Sequence, residues 1–429
     1  MSIIAGALGE HGHDVEIADW FGSGESTEWV LDAVQRHVPD LVGLSVRNLD
    51  NANSIHQEGY VAETRELIRD IRARSDAPIL LGGSGFSLMP ERFLEAVGAD
   101  YGIVGEGEAL VVEFARDLER GVRPDGACIR TGDYLPGGRI RGAAYDSGLV
   151  KSYIDGGSVI PIQTKRGCNE ACVYCTYPLL EGRHVRSRPP KDVVDDVVRL
   201  RERDGVEAVF FVDSLFNDDD GAYLDVLREM DRRGVSIPWT AFFKPAVIPD
   251  DVMDLMKRTG IEAVEIGADA STDATLRRLG KRFTFDDVVR SNDQFTAWEI
   301  STSHYFMFGG PGETRETAVE GARNVIGLTN TVSVVFMGIR IYPGSGLERI
   351  AVREGVVAPD ANLLEPTYYF SPQLERAWLE RTLTEAFAPV RHCIFPPDAL
   401  DDKLRILHKL GFKGSLCEML LPAKRDRAK

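Results

Sequence analysis

Lys165-Arg166-Gly167-Cys168-Asn169-Glu170-Ala171-Cys172-Val173-Tyr174-Cys175 sets three cysteines in a CxxxCxxC run. Cysteine is the soft anionic ligand that iron–sulfur clusters require. Three thiolates hold three irons of a four-iron cluster and leave the fourth open, and an open coordination position is where a catalytic metal meets its ligand. A zinc site and three unrelated thiols are the plainer readings of the same run. Zinc wants a fourth ligand and usually draws on paired CxxC units. The other cysteines, Cys128, Cys393 and Cys417, are scattered, and six in 429 residues do not make a disulfide framework. A reducing cytoplasm suits that usage.

The chain around this run is too long for one core, and 429 residues predict two or three domains. Hydrophobic residues make up 43 %, and no apolar run reaches the roughly 18 residues of a membrane span, so a soluble protein is expected. Residues 1–9 lack the basic start and long apolar core of a secretory signal. The formal net charge of −17 argues against a general affinity for nucleic acid, which needs a basic stripe to replace counterions, and favours small-molecule substrates. The basic tail 424–429 reads as a solvated terminus.

On the amino-terminal side of the cysteines, strand-like runs at 14–18, 41–45, 78–81 and 101–104 alternate with amphipathic segments at 29–36, 63–74, 91–97 and 108–118. That alternation predicts a parallel sheet with helices on both faces, and ligands on such sheets bind at the carboxyl ends of strands. The loops there are 45–50, Gly82-Gly83-Ser84-Gly85-Phe86 and Gly105-Glu106-Gly107-Glu108. Their glycines allow tight turns and close approach to a flat or anionic ligand. Composition leaves cobalamin, flavin and plain turns open. Beyond a turn-rich linker at 132–138, six strand candidates follow at 159–164, 208–212, 239–243, 263–266, 303–308 and 332–341, with the cysteines directly after the first. They predict a partial (β/α) barrel whose chemistry lies at the carboxyl ends of its strands. From residue 347 the pattern turns helical, with aromatic interruptions at 368–370 and 378 and a further helix at 404–410. This segment reads as a cap across the barrel mouth.

The cysteine run, with Tyr174 before the third cysteine, resembles the radical S-adenosylmethionine (SAM) superfamily. The order Gly12-His13-Asp14-Val15-Glu16-Ile17, Gly43-Leu44-Ser45, Ile79-Leu80-Leu81-Gly82-Gly83, Val104-Gly105-Glu106-Gly107-Glu108 resembles the cobalamin-binding domain ahead of its class B, methyltransferase-like members. The resemblance covers nearly all of 1–345. It implies an α/β chain with a Rossmann-like (flavodoxin-like) cobalamin-binding domain at 1–140, a six-stranded radical SAM core at 150–346 and a helical cap at 347–429. A [4Fe-4S] cluster on Cys168, Cys172 and Cys175, SAM and cobalamin are the implied cofactors. In that family the open iron chelates SAM, and the reduced cluster cleaves it to a 5′-deoxyadenosyl radical.

The same resemblance assigns Tyr174 to the adenine and Ser45, Gly82, Gly83 and Gly105 to cobalamin. It assigns Asp213 to the SAM amino group, beside its reading as a helix cap. Asp269 would meet a ribose hydroxyl, although relatives more often carry glutamate and aspartate is one methylene shorter. Lys281 or Arg282 would meet the SAM carboxylate or form a solvated turn. The resemblance places the loop 308–314 near SAM, beside the reading of Glu313 as a first-turn helix acid, and Arg340 and Tyr342 read as facing substrate or cobalamin. One departure stands out: the family opens with a buried apolar strand, in some relatives with a cobalt-ligating DxHxxG histidine, whereas residues 1–8 already read as the first helix. Unpaired sheet edges and an apolar strand encoded upstream are expected. His11, His13 and His56 read as surface or loop histidines. The implied activity is methylation of an unactivated carbon or phosphorus centre. In that scheme one SAM supplies a substrate radical, and methylcobalamin, recharged by another SAM, delivers the methyl group. Radical cyclisation or rearrangement with the same cofactors is the alternative, and a corrinoid-binding or sensing module without catalysis is the reading from another class. A methylthiotransferase would need more cluster cysteines than the single Cys128 within 1–167. An electron donor such as flavodoxin or ferredoxin is the implied partner.

Overall fold

Two parallel sheets, each fed by strand–helix alternation, organise the computed structural model, which describes residues 1–20, 26–124, 126–130 and 132–400. Cys417, the helix read at 404–410 and the basic tail lie outside the described residues. The first sheet holds β1 (Val42–Ser45), β2 (Ile79–Gly82), β3 (Tyr101–Val104) and β4 (Cys128–Arg130), side by side in chain order. Its apolar run alternates with the pleat. Leu80 joins Ala7, Ile103, Val111, Val112 and Phe114 beneath the helices Ser2–Gly9 and Glu108–Glu119. Ile79 and Leu81 point the other way, to Leu31, Ile68, Ile71, Phe86 and Phe93 of the remaining helices. Residues 14–18, read as a strand, run outside the sheet. Among the described residues β1 is bordered only by β2, so its other edge is open and residues 14–18 do not pair with it.

The second sheet runs β5 (Ile160–Ile162), β6 (Val209–Phe211), β7 (Trp239–Phe243), β8 (Ile261–Asp269), β9 (Ser301–Phe308), β10 (Thr331–Met337) and β11 (Cys393–Ile394), parallel throughout and ordered as in the chain. All six expected strands are present, and the segment from 347, read as helical, adds a seventh. Its two residues cover the edge that β10 would otherwise leave unpaired. The strand read at 332–341 also breaks at Gly338 (φ +74). Ile339–Arg340 then pair antiparallel with Tyr368–Tyr369.

The barrel sheet has two unlike faces. Toward the helices point Phe211, Trp239, Phe243, Val264 and Ile266, packed on Val197, Leu227, Met230 and Met256. Truncating a buried ring such as Phe211 costs about 3–5 kcal/mol. The interior carries Phe210, Phe242, Glu265 and Tyr305 at alternate positions, closed below by Ala263, Val332, Val334 and Ile394. Among the described residues no helix is long and apolar enough to cross a membrane.

Candidate functional site

The cysteine loop leaves β5 through Thr164 and a short ribbon in which Lys165–Arg166 pairs with Arg186–Ser187. Gly167 turns it at φ +90, where an added Cβ would run into the His184 carbonyl. The Val173 N–H donates to Leu279 O (3.0 Å), and Leu347 N–H donates to Val173 O (2.7 Å). Gly280 (φ +79) lets the Leu279-Gly280-Lys281 turn close on Ala171, which brings Lys281 beside the thiols. Burial pushes the Cys168 and Cys175 thiols up, Cys175 to about 12, and the Cys172 charge adds to it in both while Lys281 opposes it. The thiols thus sense one another without converging on a point, and among the described residues no three His, Cys, Asp or Glu gather as they would on one ion. A four-iron cluster takes each thiolate on a separate iron, so the soft donor set fits it, with Lys281 at hand to offset the anionic charge.

Tyr174, Asp269 and Lys281 meet next to Cys172. A bulge between Ile266 and Asp269 and a positive φ of +66 turn Asp269 at the end of β8, a conformation costing a non-glycine residue about 1–2 kcal/mol. Its carboxylate accepts the Tyr174 hydroxyl (2.5 Å) and forms an ion pair with Lys281, whose ammonium also donates to the Tyr174 oxygen at 3.2 Å. Burial works against the Lys281 charge, yet Asp269 and Cys172 outweigh it and raise its pKa. Arg282 lies outside this group and pairs with Glu170 at 3.0 Å.

Asp213 requires a correction. Its Oδ1 accepts the N–H groups of Thr164 (2.7 Å) and Lys165 (3.1 Å), and its Oδ2 accepts the Thr164 hydroxyl (2.5 Å) and the Lys165 ammonium (3.1 Å). Four donors fill the carboxylate, so Asp213 braces the entry to the cysteine loop and offers nothing to SAM. Helix capping falls to Asp218, which accepts from Ala222 N–H at 3.0 Å. Glu313 is corrected too. It lies ahead of the helix Arg315–Gly327, folds back on the Gly309 and Gly310 N–H groups and is pushed up to about 7 by burial.

The loops of the first sheet divide by role. Ser45 is exposed at the end of β1, and a Cβ at Gly82 would enter space open to 3.9 Å. That opening at the carboxyl ends of the strands is the feature that fits a corrin. Gly83 (φ +97) is glycine for another reason, since a Cβ there would lie 2.5 Å from Val46 O. It lets the neighbouring loop pack closely against its backbone. Gly105 donates its N–H to Ser87 Oγ at 3.0 Å. The acids beside it clamp the barrel: Glu106 pairs with Arg186 (2.6 Å) and Arg166 (3.3 Å), and Glu108 with Arg166 (2.5 Å). Arg340, read as facing ligand, is buried in an ion pair with Asp50 (2.6 Å) and gives further N–H bonds to Ile341 O and Leu363 O. Tyr342 lies under its guanidinium at 5.0 Å. The histidines have local partners: His11 meets Ala7 O, His13 Glu119 and His56 Asp398. A cavity of about 680 Å³ is lined by His13, Tyr145 and Arg199 among others, none of them in the cysteine loop.

Sequence reading passed over Lys165, the Arg166–Arg186 pair and Glu265. Only Glu265 left a signal, as an acid among apolar residues of a strand.

The pattern defining the Radical SAM superfamily matches residues 162–324, and that of the B12 binding domain matches residues 1–115. Tryptophan 2-C-methyltransferase of Streptomyces laurentii is 24 % identical, over 81 % of this chain and 71 % of its own length. Cytidylyl-2-hydroxyethylphosphonate methyltransferase of Streptomyces wedmorensis is 22 % identical, over 86 % of this chain and 80 % of its own. The solved structure of the radical S-adenosylmethionine methyltransferase TsrM from Kitasatospora setae, with cobalamin and a [4Fe-4S] cluster bound, superposes with a TM-score of 0.84 at 25 % identity, covering 100 % of this chain and 94 % of that one.

Proposed function

Because the chain belongs to the cobalamin-dependent radical SAM methyltransferase family, we propose that it transfers a methyl group from SAM to a carbon atom of a small, flat molecule held in the barrel interior. The observation that carries the choice of carbon over phosphorus is the chemistry of that interior. Phe210, Phe242, Tyr305 and Phe336 supply apolar walls, and Glu265 is the charged group among them. A carboxyl in a confined, poorly solvated space repels a phosphinate or phosphonate, whereas rings favour a flat organic body.

Cys168, Cys172 and Cys175 would hold the cluster, Tyr174 and Asp269 would face SAM, and Ser45, Gly82 and Gly105 would line the corrin. When bound, these cofactors supply the electron-transfer and methyl-transfer chemistry. The chain's own part is to orient and shield. Lys281 steadies the anionic charge at Cys172. Asp213 and Lys165 fix the approach to the loop, and the Glu106–Arg186 and Glu108–Arg166 pairs hold the cobalamin side against it. Working units at 1–140, 150–346 and 347–429 accord with that division of labour. A small electron donor such as flavodoxin or ferredoxin and a reducing cytoplasm suit an oxygen-sensitive thiolate site. The net charge of −17 speaks against nucleic acid as a partner.

Methyl transfer turns SAM into S-adenosylhomocysteine. Anaerobically reconstituted, reduced enzyme should form it with cobalamin and not without. No S-adenosylhomocysteine under either condition overturns methyl transfer in favour of rearrangement or plain corrinoid binding.

A further inference from the structure

Carboxyls at the barrel's mouth have cations or backbone donors, and Glu313 is held by the Gly309 and Gly310 N–H groups. Asp213 and Asp218 share Lys165, and Asp269 has Lys281. Glu265 differs. It sits four residues before Asp269 on β8, below the bulge that separates the two, and in register with Ser303 of β9. Its hydrogen-bond donor among the described residues is the Tyr305 hydroxyl at 2.9 Å. Beside it in the ladder stands Ser303, 1 % exposed, whose hydroxyl has no partner among the described residues. Ser303, Tyr305 and Met307 alternate on the inner face of β9, while Thr302 and His304 bond to Asn292 on the helix side. Phe242 is opposite Glu265 on β7 and meets Phe210 edge-on at 5.0 Å. Among the described residues the rings thus enclose one acceptor that lacks a cation and one hydroxyl that lacks a partner.

We propose that Glu265, Ser303 and Tyr305 form the polar end of the substrate site and accept an N–H group of an aromatic substrate. The proposal rests on the methyltransferase reading and names the chemistry of its substrate. An uncompensated carboxyl in such a place is costly, and a ligand N–H removes the cost by satisfying it. Burial pushes Glu265 up to about 7 with the Tyr305 hydroxyl acting against the rise. Among the described residues the titratable group facing Glu265 is the Tyr305 phenol, and Asp269 with Lys281 lies beyond the bulge. Below about 7 the group is protonated, so an N–H donor meets its best acceptor only above that pH.

The test is calorimetric titration of the anaerobic holoenzyme with indole, the smallest ring that carries an N–H, and with 1-methylindole, which lacks it. Indole should bind roughly tenfold or more tightly at pH 8 than 1-methylindole, and its affinity should rise between pH 6 and pH 8. Glu265→Gln should flatten the pH dependence, and Glu265→Ala should also erase the discrimination, with cluster and corrin absorption unchanged. Tyr305→Phe, which removes the donor favouring the carboxylate, should move the midpoint upward. Ser303→Ala, a smaller change should the others fail to fold, should weaken indole roughly threefold. Equal binding of the two probes by wild type, binding of neither, or a Glu265→Ala holoenzyme that keeps both discrimination and pH profile overturns the proposal. Missing cluster or corrin absorption in wild type overturns the functional reading instead, and the indole titration is read either way.

Discussion

The carboxyl ends of the two sheets use similar residues for different ends. On the first sheet, glycines admit the chain's own backbone, Gly83 against Val46 and Gly85 against Asn48, and the acids Asp50, Glu106 and Glu108 reach across to arginines of the barrel. On the barrel, Gly167 and Gly280 wrap the cysteine loop, and Asp269 and Lys281 stay beside the thiols. A loop rich in glycine and acid is thus an interface in one place and a reaction centre in the other. What separates them is the company each keeps: arginines from the other sheet in the first case, thiols and an unusual backbone turn in the second.

The comparison breaks most visibly at the cysteines. Cys168→Ala, Cys172→Ala or Cys175→Ala should each remove the cluster and abolish SAM turnover, while Cys128→Ala and Cys393→Ala leave iron content near wild type. Iron analysis with electron paramagnetic resonance reads both, and a cluster that survives any of the first three would sink the assignment.

On the interface side the largest effect belongs to Asp50→Asn. Breaking a buried ion pair costs roughly 3–5 kcal/mol, because Arg340 is left 4 % exposed without its counter-charge. Denaturant unfolding measures it, and the pairing Asp50→Leu with Arg340→Met should recover much of the loss.

Glu106 comes next. Burial works against its charge, but Arg186, the Leu135 N–H and Arg166 outweigh it and hold the carboxyl below its ordinary value. A depressed folded pKa means stability that is present above the unfolded value, about 4.3, and lost as pH falls through the lower folded one. Wild type should therefore lose more thermal stability than Glu106→Gln between pH 5 and pH 3, and parallel curves would refute the clamp.

The smallest effect is the most pointed. Gly83→Ala and Gly280→Ala both force a Cβ into left-handed backbone, at about 1–3 kcal/mol each. Only Gly280→Ala should also alter the cluster's absorption, since only that turn packs against the cysteine loop.

Much of this was legible along the chain. Alternating strands and helices predict two α/β sheets, and the CxxxCxxC spacing predicts the cluster, because ladder formation and thiolate ligation depend on residues close in sequence. Residues 14–18 show where that logic stops, since extended residues become a strand only beside a partner. Asp213 and Glu313 show it again. Each sits in a suggestive motif, yet the donors that occupy it arrive from folding.

Local pattern by itself determined the fold class, the order of the two sheets and the three thiols, and the family resemblance of those motifs implied the cofactors. Tertiary structure alone decided which polar residues are free to act. The Asp50–Arg340 bond spans 290 residues, and the contrast between Asp269, paired with lysine, and Glu265, without a cation, exists only once β8 is rolled into the barrel wall. The reason is physical: hydrogen bonds and ion pairs form between groups that packing brings within about 3 Å, and a single sequence carries no record of those distances.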